Sequence, residues 1–268
     1  HAIFQQYTDL IEPLSLDEAY LDVTQNKKGL SSATDVAAQI KQQVKQVTGL
    51  TASAGVSMNK FLAKIASDYH KPDGLFVITP NRAQQFIDQL PIEKFFGVGK
   101  VTATKMKLLG IRNGWELKQW SREDLLAQFG KSGHYFHDVA NGQDERPVIA
   151  HRERKSIGAE NTFIEDISTL EDLHRSLGSI AQEVARRISN RQSAGRTITL
   201  KIKFANFTQI TRSHSLLTPV NDVQSILNIA RHLLDTTFAE GMKIRLLGIT
   251  VSNLDKKINA SSQLTLQL

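Results

Sequence analysis

The chain has 268 residues, of which 40% are hydrophobic, and a net charge of +6 from 33 Lys and Arg against 27 Asp and Glu. It contains no cysteine, which excludes disulfide bonds and thiolate metal sites. No apolar run approaches the roughly 20 residues that cross a bilayer and the start has no signal-peptide pattern, so we expect a soluble, cytoplasmic protein of two or three domains.

The positive charge is unevenly distributed along the chain. Residues 1–91 hold 8 Lys and Arg against 9 Asp and Glu, a net charge of −1. The remaining 25 basic and 18 acidic residues give residues 92–268 a net charge of +7. This distribution is expected when one region carries chemistry and the rest binds a polyanion such as nucleic acid, although a generic basic surface has the same composition.

Residues 1–91 alternate short strand and helix patterns, which predicts an α+β or α/β layer. Strands or hairpins are expected in LSLDEAYLDV, LTASAGVS and GLFVI, and helices in SATDVAAQIKQQVKQV, NKFLAKIASDYH and NRAQQFIDQL. In the second of these helices the apolar residues recur at helical spacing on one side. The other side should form a basic stripe of Lys60, Lys64, Ser67 and Lys71.

The first strand pattern contains two adjacent carboxylates, Asp17 and Glu18, in an apolar frame. Successive side chains of a strand point to opposite faces, so both carboxylates reach one ion only where the strand bends or ends. Carboxylates are the ligands that Mg²⁺ prefers, and two such ions can activate an attacking hydroxyl and stabilise a leaving phosphate. The alternative is that one carboxylate faces solvent and the other pairs with a lysine.

Residues 92–150 change to short helices broken by glycine, which predicts a small all-helical unit. In FGVGKVTATKMKLLGI, Gly97 and Gly99 allow a tight turn, and the helix from Lys100 onward presents unpaired N–H groups to an anion. This is the pattern of a helix-hairpin-helix element, which binds a DNA phosphate without reading base sequence. FGKSGHYF indicates a second, weaker hairpin, and a plain helical turn is the alternative at both places.

The polar stretch QDERPVIAHRERKS is interpreted as a linker, because it lacks periodicity and carries a proline. Its basic end contains Arg152, Arg154 and Lys155. These residues suit a strap along a phosphate backbone, but a solvated connector explains the composition equally well.

Residues 156–255 carry patterns in the order strand, helix, strand, strand, helix, strand. This βαββαβ order predicts an antiparallel sheet with helices on one face and the other face open. In RTITLKIKF, alternate apolar residues should pack under the helices and leave Lys201 and Lys203 on the open face. Arg212 and Arg245 belong to neighbouring strands, so these four cations are candidate phosphate contacts; a solvated polar face is the ordinary alternative.

Taken together, these stretches resemble the Y-family (translesion) DNA polymerases, most closely the bacterial DNA polymerase IV branch. SLDEAYLDVT is similar to the family's catalytic strand motif, ASAGVSMNKFLAKIASDYHKPDG to its second palm signature, PIEKFFGVGKVTATKMKLLGI to its thumb hairpin and RKSIGAENTF to the start of its little-finger domain. The four motifs occur in the family's order and cover nearly the whole chain.

The resemblance implies an α+β multidomain protein with a partial palm of mixed sheet and helices (1–91), a helical thumb (92–150), a linker (151–155), a little finger (156–255) and a tail (256–268). It also implies template-directed DNA synthesis across damaged bases, in which the primer 3′-hydroxyl attacks the α-phosphate of a dNTP. Asp17 and Glu18 would be two of three carboxylates that hold two Mg²⁺ ions, and Lys71 would contact the triphosphate. The implied partners of this monomer are primer-template DNA, dNTP and a sliding clamp, with no membrane.

The tail QLTLQL resembles the peptide by which such polymerases dock on the sliding clamp, through Gln263, Leu264, Leu266 and Leu268; a disordered end is the alternative. The family's first metal-binding Asp and its fingers domain precede the catalytic strand, whereas only 16 residues precede Asp17 here. We therefore expect a truncated chain that binds DNA but has an incomplete metal site and little activity alone.

Two other functions remain open from the sequence. The first is a non-catalytic module that binds DNA and a sliding clamp. The second is a helix-hairpin-helix repair nuclease or glycosylase, for which the sequence offers no matching catalytic constellation.

Overall fold

The computed structural model describes residues 1–151 and 153–255, and the chain divides into two compact units between Arg152 and Glu153. The first unit contains four short strands: β1 (Ile11–Pro13), β2 (Ala19–Leu21), β3 (Ala54–Val56) and β4 (Leu75–Val77). Its helices are α1 (Ala33–Thr48), α2 (Lys60–Tyr69), α3 (Pro80–Gln89), α4 (Lys100–Leu108), α5 (Gly114–Lys118), α6 (Arg122–Phe129) and α7 (Ser132–Ala140). Within the described ranges, no helix is both long and apolar enough to cross a membrane.

Four helices of the first unit begin at a polar capping residue. The side chain accepts a hydrogen bond from the backbone N–H three residues later, which satisfies one of the free donors of the first turn. These capping residues are Ser32 of α1, Asn59 of α2, Asn113 of α5 and Ser121 of α6. Helices α3, α4 and α7 have no side-chain cap among the described residues, and the N-cap of α4 is Gly99.

The strands of the first unit form two separate sheets among the described residues. β1 and β2 pair antiparallel, whereas β3 and β4 pair parallel on either side of α2 in the chain. The prediction of one mixed sheet was therefore wrong. The two pairs belong to different apolar clusters: Leu21 of β2 packs against Tyr7 and Val36, and Phe76 of β4 packs against the cluster that contains Phe61.

The main apolar core of the first unit includes residues from Phe61 to Ala140. Ile87, Ile92 and Met106 are fully buried in it, on both sides of the predicted palm and thumb boundary at residue 91. Helices from both predicted regions therefore stabilise one another through a shared core.

The second unit consists of β5 (Ser156–Ile167), α8 (Leu170–Ser189), β6 (Gly195–Phe204), β7 (Gln209–Val220), α9 (Val223–Asp235) and β8 (Ile244–Leu254). Its four strands form one antiparallel sheet in the order β5-β8-β6-β7. The predicted βαββαβ order is confirmed.

The two faces of this sheet differ as the alternation in β6 predicted. Ile198, Leu200 and Ile202 are buried in the core shared with α8 and α9. The open face carries short hydroxyl side chains, with Oγ atoms 2.9 Å apart in each of the cross-strand pairs Thr197–Ser215 and Thr199–Ser213.

Candidate active site and nucleic-acid surface

Asp17 and Glu18 lie at the end of the turn between β1 and β2, directly before β2 begins at Ala19. The backbone N–H groups of Leu14 and Ser15 donate to the Glu18 carbonyl at 2.9 and 3.2 Å and close this turn. Neither carboxylate is thus inside a continuous strand. Because the strand is interrupted here, Asp17 and Glu18 are not held on opposite faces, as they would be inside a continuous strand.

The two carboxylates have different surroundings. Asp17 is exposed, and the Ser15 hydroxyl donates to its Oδ1 at 2.6 Å, which together with the charge of Lys71 keeps the pKa of Asp17 below its ordinary value. Glu18 Oε1 lies 3.3 Å from Lys64 Nζ. The structure therefore brings the predicted triphosphate-binding lysine, Lys71, into the electrostatic surroundings of the carboxylate pair.

Asp68, a residue that the sequence analysis did not single out, connects the two lysines. Its carboxylate lies 2.9 Å from Lys64 Nζ and 2.5 Å from Lys71 Nζ. Burial raises the pKa of Asp68, but the hydrogen bonds from Lys71 and Lys64 outweigh it and the net shift is downward. The signal was present in the sequence, because Asp68 stands four residues after Lys64 and three before Lys71, the spacings of neighbours on a helix surface.

Lys60 does not belong to an exposed basic stripe, contrary to the sequence prediction. It is buried, its Nζ lies 2.5 Å from Glu12 Oε2, and it also donates to the Pro147 carbonyl at 3.2 Å. This face of α2 is turned toward β1, and Lys64 is also largely buried, with 14% of its side chain exposed.

A metal ion would find a partial ligand set at this hairpin. Among the described residues there is no group of three or more His, Cys, Asp or Glu arranged to hold a metal ion. Asp17 and Glu18 nevertheless fit Mg²⁺ chemically, because this ion commonly takes one or two carboxylates and completes its coordination with water and phosphate oxygens.

The glycine turn before α4 leaves the start of that helix without a side-chain cap. Gly97 has a φ of +91°, which favours glycine, and Gly99 forms the N-cap of α4. The Tyr135 hydroxyl of α7 donates to the Phe96 carbonyl at 3.1 Å and holds the turn against the helical core. With Gly99 as the cap, the first N–H groups of α4 remain available to a ligand beside the exposed Lys100.

A second tight turn joins α6 to α7, where the sequence predicted a weaker hairpin. Gly130 ends α6 with a φ of +60°. A Cβ added at Gly133 would lie 2.2 Å from the Leu125 carbonyl oxygen, so the two helices approach closely only because residue 133 is glycine.

The basic end of the linker is only partly described. Arg154 and Lys155 are exposed directly before β5. Arg152 lies outside the described residues, as do the four predicted clamp contacts Gln263, Leu264, Leu266 and Leu268.

The four candidate cations of the sheet do not share one face. Lys201 and Lys203 are in register with Thr211 and Gln209 on the open face, and Lys201 pairs with Glu160 at 2.8 Å. Arg212 is in register with Leu200, which is buried under the helices. Paired residues of adjacent strands point to the same face, so Arg212 lies on the opposite face from the two lysines.

Arg245 lies near the end of the open face. Its Nη1 is 3.6 Å from Asp166 Oδ1, and its guanidinium lies 4.7 Å from the ring centroid of Phe207. Phe207, in the turn between β6 and β7, was not identified from the sequence.

Comparison with known proteins places this arrangement among DNA polymerases. The chain matches the impB/mucB/samB family over residues 1–68, the IMS family HHH motif over residues 80–111 and the impB/mucB/samB family C-terminal domain over residues 154–266. It is 49% identical to DNA polymerase IV 2 of Agrobacterium fabrum over 98% of this chain and 73% of that protein. It is 53% identical to DNA polymerase IV of Bacteroides fragilis over 94% of this chain and 70% of that protein.

Solved structures show the same likeness. A Y-family DNA polymerase chimera of Dbh and Dpo4 superposes with a TM-score of 0.84 at 26% identity, covering 94% of this chain and 73% of the chimera. The insertion ternary complex of Dbh DNA polymerase superposes with a TM-score of 0.61 at 25% identity, covering 94% of this chain and 73% of that chain.

Proposed function

Because the chain belongs to the Y-family of DNA polymerases, close to bacterial DNA polymerase IV, we propose that it serves template-directed DNA synthesis across damaged bases. The observation that carries this proposal is the hairpin that ends in Asp17 and Glu18, with Lys71 held nearby through Asp68. The domain assignment follows the same proposal: residues 1–91 form the palm, 92–150 the thumb and 156–255 the little finger.

The side chains at the hairpin can be given separate roles. Asp17 and Glu18 would hold Mg²⁺, and the hydrogen bond from Ser15 that lowers the pKa of Asp17 orients its carboxylate in the turn. Bound there, Mg²⁺ supplies electrostatic stabilisation of charge on the reacting phosphate. Lys71, half-exposed beside Asp68, positions the triphosphate of the incoming dNTP.

DNA is held by groups that ignore base sequence. The turn from Gly97 to Lys100 binds one phosphate through backbone N–H groups. Arg152, Arg154 and Lys155 contact the backbone from the linker, and Lys201, Lys203 and Arg245 contact it along the open face of the sheet. Arg212, which lies on the opposite face, is not assigned a phosphate contact. The net charge of +7 over residues 92–268 supports this division.

The experiment measures binding and chemistry separately on the 268-residue chain. We expect it to bind primer-template DNA with strong salt dependence. Because the described residues contain no group of three or more candidate metal ligands, we expect primer extension by these residues alone to be weak and to disappear in Asp17→Asn and Glu18→Gln. A chain that binds no DNA, or extension that survives both substitutions, would contradict the proposal.

A second candidate function is a non-catalytic module that binds DNA and a sliding clamp, for which the net charge of +7 over residues 92–268 is the supporting observation. Deletion of residues 263–268 is then expected to abolish binding to the clamp and leave DNA affinity unchanged. If the chain is such a module, Asp17→Asn should have no effect on its function in cells. If the chain is a polymerase, Asp17→Asn should abolish that function.

A further inference from the structure

An exposed aromatic residue stands at the tip of the β6–β7 hairpin. Phe207 is 61% exposed and has a φ of +66°. Left-handed backbone is uncommon for a residue other than glycine, and such strain concentrates at functional sites. The sequence thus keeps a large apolar side chain where both its backbone and its exposure are unfavourable.

The turn that presents this ring is fixed by hydrogen bonds. Phe204 N–H donates to the Thr208 carbonyl and Phe207 N–H donates to the Phe204 carbonyl, both at 2.9 Å. The Asn206 side chain accepts from the Thr208 N–H at 3.0 Å. Ala205 N–H donates at 2.9 Å to the carbonyl of Lys243, which directly precedes β8. The position of Phe207 is therefore set before any ligand binds.

Two cations lie against the Phe207 ring. Lys203 Nζ is 4.8 Å and the Arg245 guanidinium 4.7 Å from the ring centroid. Arg245 is positioned in turn by Asp166, 3.6 Å away. The tip therefore combines an aromatic surface with two positive charges at the end of the open face of the sheet.

This combination suits single-stranded nucleic acid. Proteins bind unpaired strands with cations that track the phosphates and aromatic side chains on which bases stack. Paired bases inside a duplex offer only their edges in the grooves, whereas an unpaired base offers its face. A duplex phosphate would need the cations but not the ring.

We propose that Phe207, Lys203 and Arg245 form a contact site for an unpaired base of the template strand and its adjacent phosphate. The proposal rests on the proposed function, since it requires that the chain binds a template with a single-stranded part. It adds a stacking contact to a surface otherwise described by phosphate binding.

The test compares two DNA ligands: a primer-template with a long single-stranded template overhang and the same duplex with blunt ends. Phe207→Leu, which keeps an apolar side chain but removes the aromatic face, is expected to weaken binding to the overhang DNA about tenfold, and binding to the blunt duplex less than about twofold. Phe207→Trp should retain the wild-type preference. Leu217→Ala is the matched control, because Leu217 is an almost fully exposed apolar residue of β7 outside the turn.

The outcomes separate this inference from the proposed function. If the wild-type chain binds neither DNA, the proposed function fails. If it binds both and Phe207→Leu changes neither affinity, or weakens both equally, the stacking contact is overturned while DNA binding stands. The slope of affinity against salt should stay unchanged in Phe207→Leu, because no phosphate contact is removed.

Discussion

Lys60 and Glu12 form a buried ion pair between helix α2 and strand β1. The Nζ and Oε2 atoms are 2.5 Å apart, and the side chains are 9% and 19% exposed. Glu12 also accepts a hydrogen bond from the Ile149 N–H at 2.8 Å. Since β1 is paired with the strand that follows the candidate metal ligands, this ion pair fastens the hairpin of the candidate site to α2 and to the segment after α7.

Replacing Lys60 by Met should destabilise the first unit by about 2 kcal/mol, because the partly buried Glu12 carboxylate would lose its charged hydrogen-bond partner and keep only the Ile149 N–H. Both tryptophans, Trp115 and Trp120, lie in the first unit, so urea unfolding followed by tryptophan fluorescence reports on that unit. Lys107→Met is the control: it removes an ion pair with Glu93 in which both side chains are about half exposed, and should cost at most about 1 kcal/mol. Equal losses in the two variants would contradict the prediction.

Asp144 should make the stability of the first unit depend on pH in the acid range. Its side chain is 2% exposed, accepts from the Phe61 N–H at 2.9 Å and pairs with Arg146 at 2.6 Å. Burial raises the pKa of Asp144, but the Arg146 and Phe61 hydrogen bonds outweigh it and the net shift is downward. Its carboxylate therefore stabilises the fold above the ordinary Asp pKa, and this contribution is lost as pH falls through the lower folded-state pKa.

Asp144→Asn is accordingly expected to lower the free energy of unfolding by about 2 kcal/mol at pH 7. The difference from wild type should shrink as the pH is lowered below the ordinary Asp pKa, because the wild-type carboxylate then loses its charge. Urea unfolding at a series of pH values measures this. A difference that stays constant down to the acid limit would show that Asp144 does not act through its charge.

Two glycine-to-alanine substitutions should have opposite effects on stability. Gly133→Ala places a Cβ 2.2 Å from the Leu125 carbonyl, so α6 and α7 must separate and the first unit should lose several kcal/mol of stability, as overpacking does at a backbone contact. Gly178→Ala lies in the middle of α8, where an added Cβ meets no described atom within 4 Å. It should stabilise the second unit by about 0.5–1 kcal/mol. Circular dichroism during thermal unfolding measures both effects, and destabilisation by Gly178→Ala would contradict the argument.

The sequence predicted side-chain placement correctly where the periodicity of one strand or helix is enough to decide it. The faces of β6 follow from the two-residue alternation around Ile198 and Leu200, which any strand imposes. Lys60 could not be placed in this way, because its partner Glu12 is 48 residues away and local periodicity contains no information about that contact. The exposure of Phe207 could not be predicted either, because it depends on how the hairpin between β6 and β7 closes.

Arg212 shows the same limit in the sheet. Its own strand, β7, has polar residues on both sides, so no alternation shows which face Arg212 takes; the register with Leu200 decides it. The site was predicted unevenly for a related reason. Adjacent carboxylates are visible in one motif, and the Asp68 ion pairs follow local spacing along the chain. The contact between Glu18 and Lys64 appears only when the turn of β1 and β2 is packed against α2.

Lys203 and Arg212 lie on opposite faces of the sheet, so two variants that lose the same charge can show which face of the second unit binds DNA. Lys203→Met and Arg212→Met each remove one positive charge, but only Lys203 lies on the open face. If that face follows the phosphates, Lys203→Met should reduce the slope of log affinity against log salt by about 1, because one phosphate contact is lost. Arg212→Met should leave the slope unchanged, and because the net charge of the two variants is equal, a difference between them cannot come from overall charge. Fluorescence anisotropy with a primer-template that has a single-stranded overhang, at several salt concentrations, measures both slopes. Equal slopes would mean that the open face is not the surface that the second unit presents to DNA.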